Sequence, residues 1–131
     1  MAKPIHSMIR VINEQQSTEF YRRALDLNEI DRFVFDDFTL IFLADPESEF
    51  ELELTVNRGR TEPYSHGTGY GHFALSVGDL DGHHARCVER SLDPTPIKEL
   101  HTGNRLAVRF FFLTDPDGYK IEIVERQGRY R

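Results

Sequence analysis

Two stretches of this chain, about residues 5–57 and 71–125, spell the same succession of elements. That recurrence limits the possible fold more than any single motif does. In the first stretch, residues 5–11 alternate, with Ile5, Ile9 and Val11 on one face and His6, Met8 and Arg10 on the other, the period of a strand. Asn13 with Gln16 resembles a capping box, and Phe20, Tyr21, Ala24 and Leu25 form one stripe of the helix that follows. Two aromatic and β-branched runs, 32–35 and 38–44, flank the tight turn Asp36-Asp37, and Asp45-Pro46 ends the second of them. Residues 50–57 set Phe50, Leu52, Leu54 and Val56 against Glu51, Glu53, Thr55 and Asn57.

The second stretch repeats the order. Residues 72–77 place Phe73, Leu75 and Val77 opposite His72, Ala74 and Ser76. Asp79 caps a helix expected to run to about Ser91 with Leu80, Cys87 and Val88 turned inward, and Pro94 and Pro96 end it. Residues 97–100 pair with 105–113 across residues 101–104. Asp115-Pro116-Asp117-Gly118 is a turn in which Pro presets one dihedral and Gly permits another, and 119–125 is the closing strand. The expectation is an α+β fold in a single domain, residues 1–131. It holds two βαβββ modules (about 5–57 and 71–125), which form open, curved mixed sheets with helices packed on the outer faces. A linker at 58–70 joins them, and a frayed polar tail follows at 126–131.

Composition narrows the classes. With 131 residues, 39% hydrophobic and 29% charged, the chain can bury a core without disulfides. Sixteen Lys and Arg against 22 Asp and Glu give a net charge of −6, which argues against nucleic acid as a partner. The longest apolar run, residues 40–44, is too short for a membrane span, and residues 1–4 lead into no apolar signal segment. Cys87 stands alone, so no internal disulfide forms and a cytoplasmic location is expected.

The polar faces carry the chemistry. Sixty-six residues separate His6 from His72, and 69 separate Glu53 from Glu122, so each module opens with a His and closes with a Glu. Related by a pseudo-twofold, these faces enclose one cleft, and the four side chains become candidates to meet. Two imidazoles and two carboxylates suit Ni²⁺, Zn²⁺, Co²⁺ or Fe²⁺ rather than Cu(I) or Ca²⁺. Taken singly, each is more simply a solvated residue on the open face of a sheet. His66, His83, His84 and His101 read as exposed side chains, and Cys87 as core rather than nucleophile.

The wording around those four residues resembles glyoxalase I, of the vicinal oxygen chelate superfamily. The resemblance is carried by Ile5-His6-Ser7-Met8-Ile9-Arg10-Val11, by Phe20-Tyr21 and by Leu52-Glu53-Leu54-Thr55-Val56-Asn57. Gly67-Thr68-Gly69-Tyr70-Gly71-His72-Phe73-Ala74-Leu75-Ser76-Val77 and Asp115-Pro116-Asp117-Gly118-Tyr119-Lys120-Ile121-Glu122 complete it. It covers about residues 5–125 and implies one divalent metal held by His6, Glu53, His72 and Glu122, with Ni²⁺ favoured and Zn²⁺ or Co²⁺ possible. It also implies a homodimer whose sites lie at the subunit interface. The implied reaction is isomerisation of the methylglyoxal–glutathione hemithioacetal to S-lactoylglutathione by enediolate-mediated proton transfer, with glutathione as co-substrate. Glu122 is the principal base and Glu53 its symmetry-related counterpart. Arg10 and Asn57 match positions that hold the γ-glutamyl end of glutathione. Against those roles stand a surface cation for Arg10 and a strand-end cap for Asn57. Lys98 is a further candidate for a second carboxylate, against the simpler reading of a solvated lysine.

Three departures accompany the match. Asp26 stands where the family usually has Gly, the region 33–50 is shorter, and the segment 98–109 is longer and carries Glu99, His101 and Arg105. The alternatives are an epimerase or a dioxygenase of the same superfamily, or a non-catalytic drug-binding dimer of the bleomycin-resistance kind. Glu53 argues against the first two, and the full ligand set against the third.

Overall fold

In the computed structural model, which describes residues 1–131, the chain forms two units, Met1–His66 and Gly67–Arg131. The first contains β1 (His6–Arg10), α1 (Glu14–Leu25), β2 (Asn28–Val34), β3 (Phe38–Ala44) and β4 (Glu51–Asn57). Its sheet has the order β1-β4-β3-β2, with β1 parallel to β4 and the other pairs antiparallel. The second contains β5 (Phe73–Val77), α2 (Leu80–Glu89), β6 (Lys98–Thr102), β7 (Arg105–Thr114) and β8 (Lys120–Glu125), in the order β5-β8-β7-β6 with the same pattern of directions. Both sheets are mixed and open, as the α+β reading expects. No helix is long and apolar enough to cross a membrane.

Alternation sorts each sheet into two faces. In the first unit Ile41, Leu43, Leu52 and Leu54 are fully buried, together with Phe20, Tyr21, Ala24 and Leu25 of α1. In the second, Phe111, Leu113, Ile121 and Ile123 are buried with Leu80 and Cys87 of α2. Burying each large apolar side chain contributes about 1.5–3 kcal/mol, so these helix-side faces carry most of the stability. The intervening residues, Glu51, Glu53 and Asn57 on β4 and Glu122 on β8, are only half-buried.

The helix starts follow their caps. The Asn13 side chain accepts the Gln16 N–H at 2.9 Å, and that of Asp79 accepts the Gly82 N–H at 2.9 Å. Helix α1 closes on Asp26, whose φ of 54° is left-handed, so Asp occupies the conformation for which glycine is the usual choice. Helix α2 ends earlier than expected, at Glu89 rather than near Ser91. Ser91 turns left-handed (φ 58°), and the Leu92 N–H returns to the Cys87 carbonyl, so the helix is closed by its own backbone before either proline.

Five expectations fail on burial. Val88 is 56% exposed and Ile5 57% exposed, because each lies at or beyond the end of its element, where nothing packs over it. His83, expected in solvent, is buried, and His84 is half-buried. Both lie beside the Phe111 ring, and His84 Nε2 pairs with the Thr95 carbonyl at 2.9 Å. His66 is also half-buried. Strand β2 begins at Asn28, four residues before the aromatic run, because backbone pairing with β3 continues through polar residues. Residues 126–131 are tied at their start, where the Arg126 N–H donates to the Val77 carbonyl and its guanidinium to Ser76.

Candidate metal centre

Each unit brings one imidazole and one carboxylate together. On the first sheet, β1 and β4 run parallel with Met8 opposite Glu53, and His6 Nε2 lies 3.5 Å from Glu53 Oε2. On the second, β5 and β8 pair in the same sense with Ala74 opposite Glu122, and His72 Nε2 lies 3.6 Å from Glu122 Oε2. The near-equal spacings come from the same parallel pairing. In both units the first strand lies beside the last, so residues far apart in the chain become neighbours on the open face.

Both distances exceed good hydrogen-bond geometry. They fall at the upper end of the separation of two donors that share one ion. Bonds of about 2.0–2.2 Å place neighbouring ligand atoms roughly 2.8–3.1 Å apart at right angles and roughly 3.3–3.6 Å apart at tetrahedral directions. The side chains of His6 and His72 are 38% and 41% exposed and those of Glu53 and Glu122 12% and 20%, so the imidazoles stand outermost and the carboxylates lie deeper. Within either unit no third His, Cys, Asp or Glu joins the pair to complete a metal-binding group. Each unit thus presents one imidazole beside one carboxylate.

The surroundings of the two pairs differ. The His72 ring meets Phe112 edge-on, with centroids 5.2 Å apart, because Phe112 of β7 sits opposite Glu122 of β8. Phe110 packs against Phe112 in turn. On the first unit, Phe42 sits opposite Glu53 and contacts Phe33, while Phe35 packs on Phe38. Phe33 and Phe35 remain about half exposed. The run Phe110-Phe111-Phe112 was the available signal for the aromatic neighbour of His72; its alternation sends Phe111 to the helix side and Phe110 and Phe112 to the other.

Arg10 lies on the exposed side of β1, opposite Thr55, and Asn57 ends β4 two residues beyond it. The Asn57 side-chain N–H donates to the Tyr64 hydroxyl at 2.9 Å. Tyr64 in turn lies beneath the Arg60 guanidinium, 4.3 Å from ring centroid to charge. Neither Tyr64 nor Arg60 drew notice in the sequence, where both fall in a turn-rich stretch. The signal was an aromatic residue seven positions after a strand-ending amide. Lys98 opens β6 opposite Phe110, in the second unit and exposed.

The long segment 98–109 is a β-hairpin braced by ion pairs. Arg109 clasps Asp81 of α2 with two nitrogens, at 3.1 and 3.2 Å, bonds Glu125 of β8 and lies 3.3 Å from Glu99 of β6. His101 faces Glu99 at 3.8 Å. The guanidinium holds the Asp81 carboxyl below its usual range. Burial pushes the Cys87 thiol up, which keeps it protonated and suits a core position. Burial and the charge of Asp115 raise the Tyr70 phenol in the same way.

Residues 3–123 match the model of the Glyoxalase/Bleomycin resistance protein/Dioxygenase superfamily. The chain is similar to the lactoylglutathione lyase of Haemophilus influenzae, 35% identical over 129 residues that cover 95% of this chain and 93% of the relative. It is equally similar to a probable lactoylglutathione lyase of Synechocystis, 35% identical over 133 residues, covering 95% and 96% of the two chains. Among solved structures, the trypanothione-dependent glyoxalase I of Leishmania major superposes with a TM-score of 0.77 at 33% identity, covering 95% of this chain and 87% of that one.

Proposed function

This chain belongs to the Glyoxalase/Bleomycin resistance protein/Dioxygenase superfamily and is a lyase, and from that premise we propose that it isomerises the hemithioacetal of methylglyoxal and glutathione to S-lactoylglutathione. The observation that carries the reading is the pair of equivalent His–Glu neighbours, His6 with Glu53 at 3.5 Å and His72 with Glu122 at 3.6 Å, each on the open face of its sheet. The half-site of one copy is completed by the opposite half-site of a second copy, which makes the working unit a homodimer. His6, Glu53, His72 and Glu122 hold a divalent metal, and nickel is the preferred ion. When bound, the metal supplies Lewis-acid polarisation of the two neighbouring substrate oxygens, worth several kcal/mol.

The chain's own residues then move the proton. The Glu122 carboxylate takes the proton from the thiol-bearing carbon, and the electron pair left behind forms a double bond to the neighbouring carbonyl carbon while its oxygen gains the charge. Glu122 returns the proton to that neighbouring carbon as the first carbon's hydroxyl becomes the thioester carbonyl, and the hydroxyl proton passes to the other oxygen. The thiol-bearing carbon is oxidised and its neighbour reduced by the same electron pair, so no external oxidant is needed and no atom is lost. A positioned general base of this kind contributes about 10²- to 10⁴-fold. Glu53 serves the opposite face. Arg10 and Asn57 bind the γ-glutamyl end of the thiol, Arg10 as the partner of its carboxylate. Lys98 is the candidate partner of a second carboxylate. Residence in the cytoplasm, where glutathione is reduced, fits the single buried Cys87.

The test is reconstitution. Metal-stripped protein is inactive toward the glutathione hemithioacetal in a thioester-formation assay, and Ni²⁺ restores it to a greater extent than Zn²⁺. Recovery with Zn²⁺ alone overturns the nickel preference, and no recovery with either ion overturns the isomerase.

A further inference from the structure

The loop after β4 contains a small lattice that the proton-transfer chemistry does not use. The Arg60 guanidinium stacks 4.3 Å over the Tyr64 ring and also donates to the carbonyls of Glu62, at 2.7 Å, and Pro63, at 3.2 Å. One cation thereby ties down the backbone that leads into Tyr64 and the ring itself. The Arg60 N–H donates to the Asn57 carbonyl at 3.3 Å, closing the turn. Tyr64 is half-buried, and its hydroxyl accepts the Asn57 side-chain N–H at 2.9 Å.

We propose that Tyr64, fixed by Arg60, is a positioning residue that orients the Asn57 amide toward the amino-acid end of the thiol. This rests on the reading of Asn57 as a thiol-binding residue. The physical basis is the last torsion of an asparagine, which is broad and nearly two-fold when nothing holds it. With one N–H committed to Tyr64, the amide plane is set. The second N–H and the carbonyl oxygen are left as one donor and one acceptor on the amide's free edge. That edge fits a ligand group carrying both a carboxylate and an ammonium, which is what an α-amino-acid terminus offers. A cation–π contact and two backbone carbonyls make Arg60 the anchor because none of the three competes with the hydroxyl.

The test is a double-substitution cycle read by calorimetric binding of S-hexylglutathione, a conjugate that cannot turn over, alongside kcat and KM for the hemithioacetal. Tyr64→Phe, with an unchanged Tm, is expected to weaken binding about three- to tenfold and to raise KM with kcat unchanged. Asn57→Ala weakens binding at least as much, and the two together cost no more than Asn57→Ala alone. Additive losses would show that Tyr64 acts separately from Asn57 and overturn the proposal. Unaltered binding by Tyr64→Phe beside a weakened Asn57→Ala also overturns it, while leaving Asn57 as a thiol contact. Unaltered binding by Asn57→Ala overturns the underlying assignment of Asn57 itself, and the proposal with it.

Discussion

The two units place their His–Glu pairs within 0.1 Å of the same spacing, yet they brace the surrounding sheet in different ways. In the first, Arg32 on the edge strand β2 reaches Glu29 on its own strand and Glu14 at the start of α1. In the second, Arg109 on the inner strand β7 gathers Asp81, Glu99 and Glu125 from a helix and both neighbouring strands. The side chain of Arg32 is 37% exposed and that of Arg109 22%. The shared spacing therefore does not depend on a shared ion-pair scheme. It follows from strand pairing, which both units have in common, whereas the bracing is free to diverge.

The largest difference in effect between the two units is expected at the carboxylates. Glu122→Gln should lower kcat by about 10²- to 10⁴-fold with the fold intact, since Gln keeps the shape and loses the base. Glu53→Gln should cost markedly less turnover at matched metal content. Equal losses measured in metal-loaded variants would make the two halves chemically equivalent and remove Glu122 from its special place.

Bracing comes next. Arg109→Met, which keeps much of the apolar stem, should lower Tm by about 5 °C, and Arg32→Met by about 2 °C. The acid side sharpens this contrast. The carboxyls of Glu29 and Asp81 are both held below their ordinary range by their arginines. A depressed carboxylate contributes stability at pH values above its unfolded pKa, near 4, and loses it as pH falls through the lower folded value. Thermal melts from neutral pH down to the acid limb should show a shallower slope in Arg109→Met than in wild type. An unaltered slope would mean that other carboxylates govern acid unfolding.

The smallest effect concerns the helix ends. Asp26 and Ser91 both take a left-handed conformation after their helices, where glycine carries no steric penalty. Ser91→Gly should stabilise by about 0.5 kcal/mol, and Asp26→Gly by less, because Asp tolerates that region better than Ser. Denaturant midpoints that rise more for Asp26→Gly would reverse the order.

The local pattern carried much of this molecule. Period-two alternation located β1, β4 and β5, and the Asn13 and Asp79 caps fixed the starts of both helices. What failed were judgements that need a neighbour. Val88 has the right spacing for the buried stripe of α2 but ends up in solvent, and His83 has a polar side chain yet lies against Phe111. Helical spacing says which side a residue faces, not how far the sheet extends beneath it.

The same division runs through the candidate centre. The chain alone nominated four side chains as candidates for one centre, because residue type and strand parity are local properties. It also specified Asn57, the residue that ends β4. It did not specify that His6 would lie 3.5 Å from Glu53, across 46 intervening positions, or that Tyr64 would grip the Asn57 amide. Those contacts were decided by the parallel pairing of first and last strands and by the fold of one loop. Distances between groups remote in sequence are set by how strands associate, and no single segment contains that information.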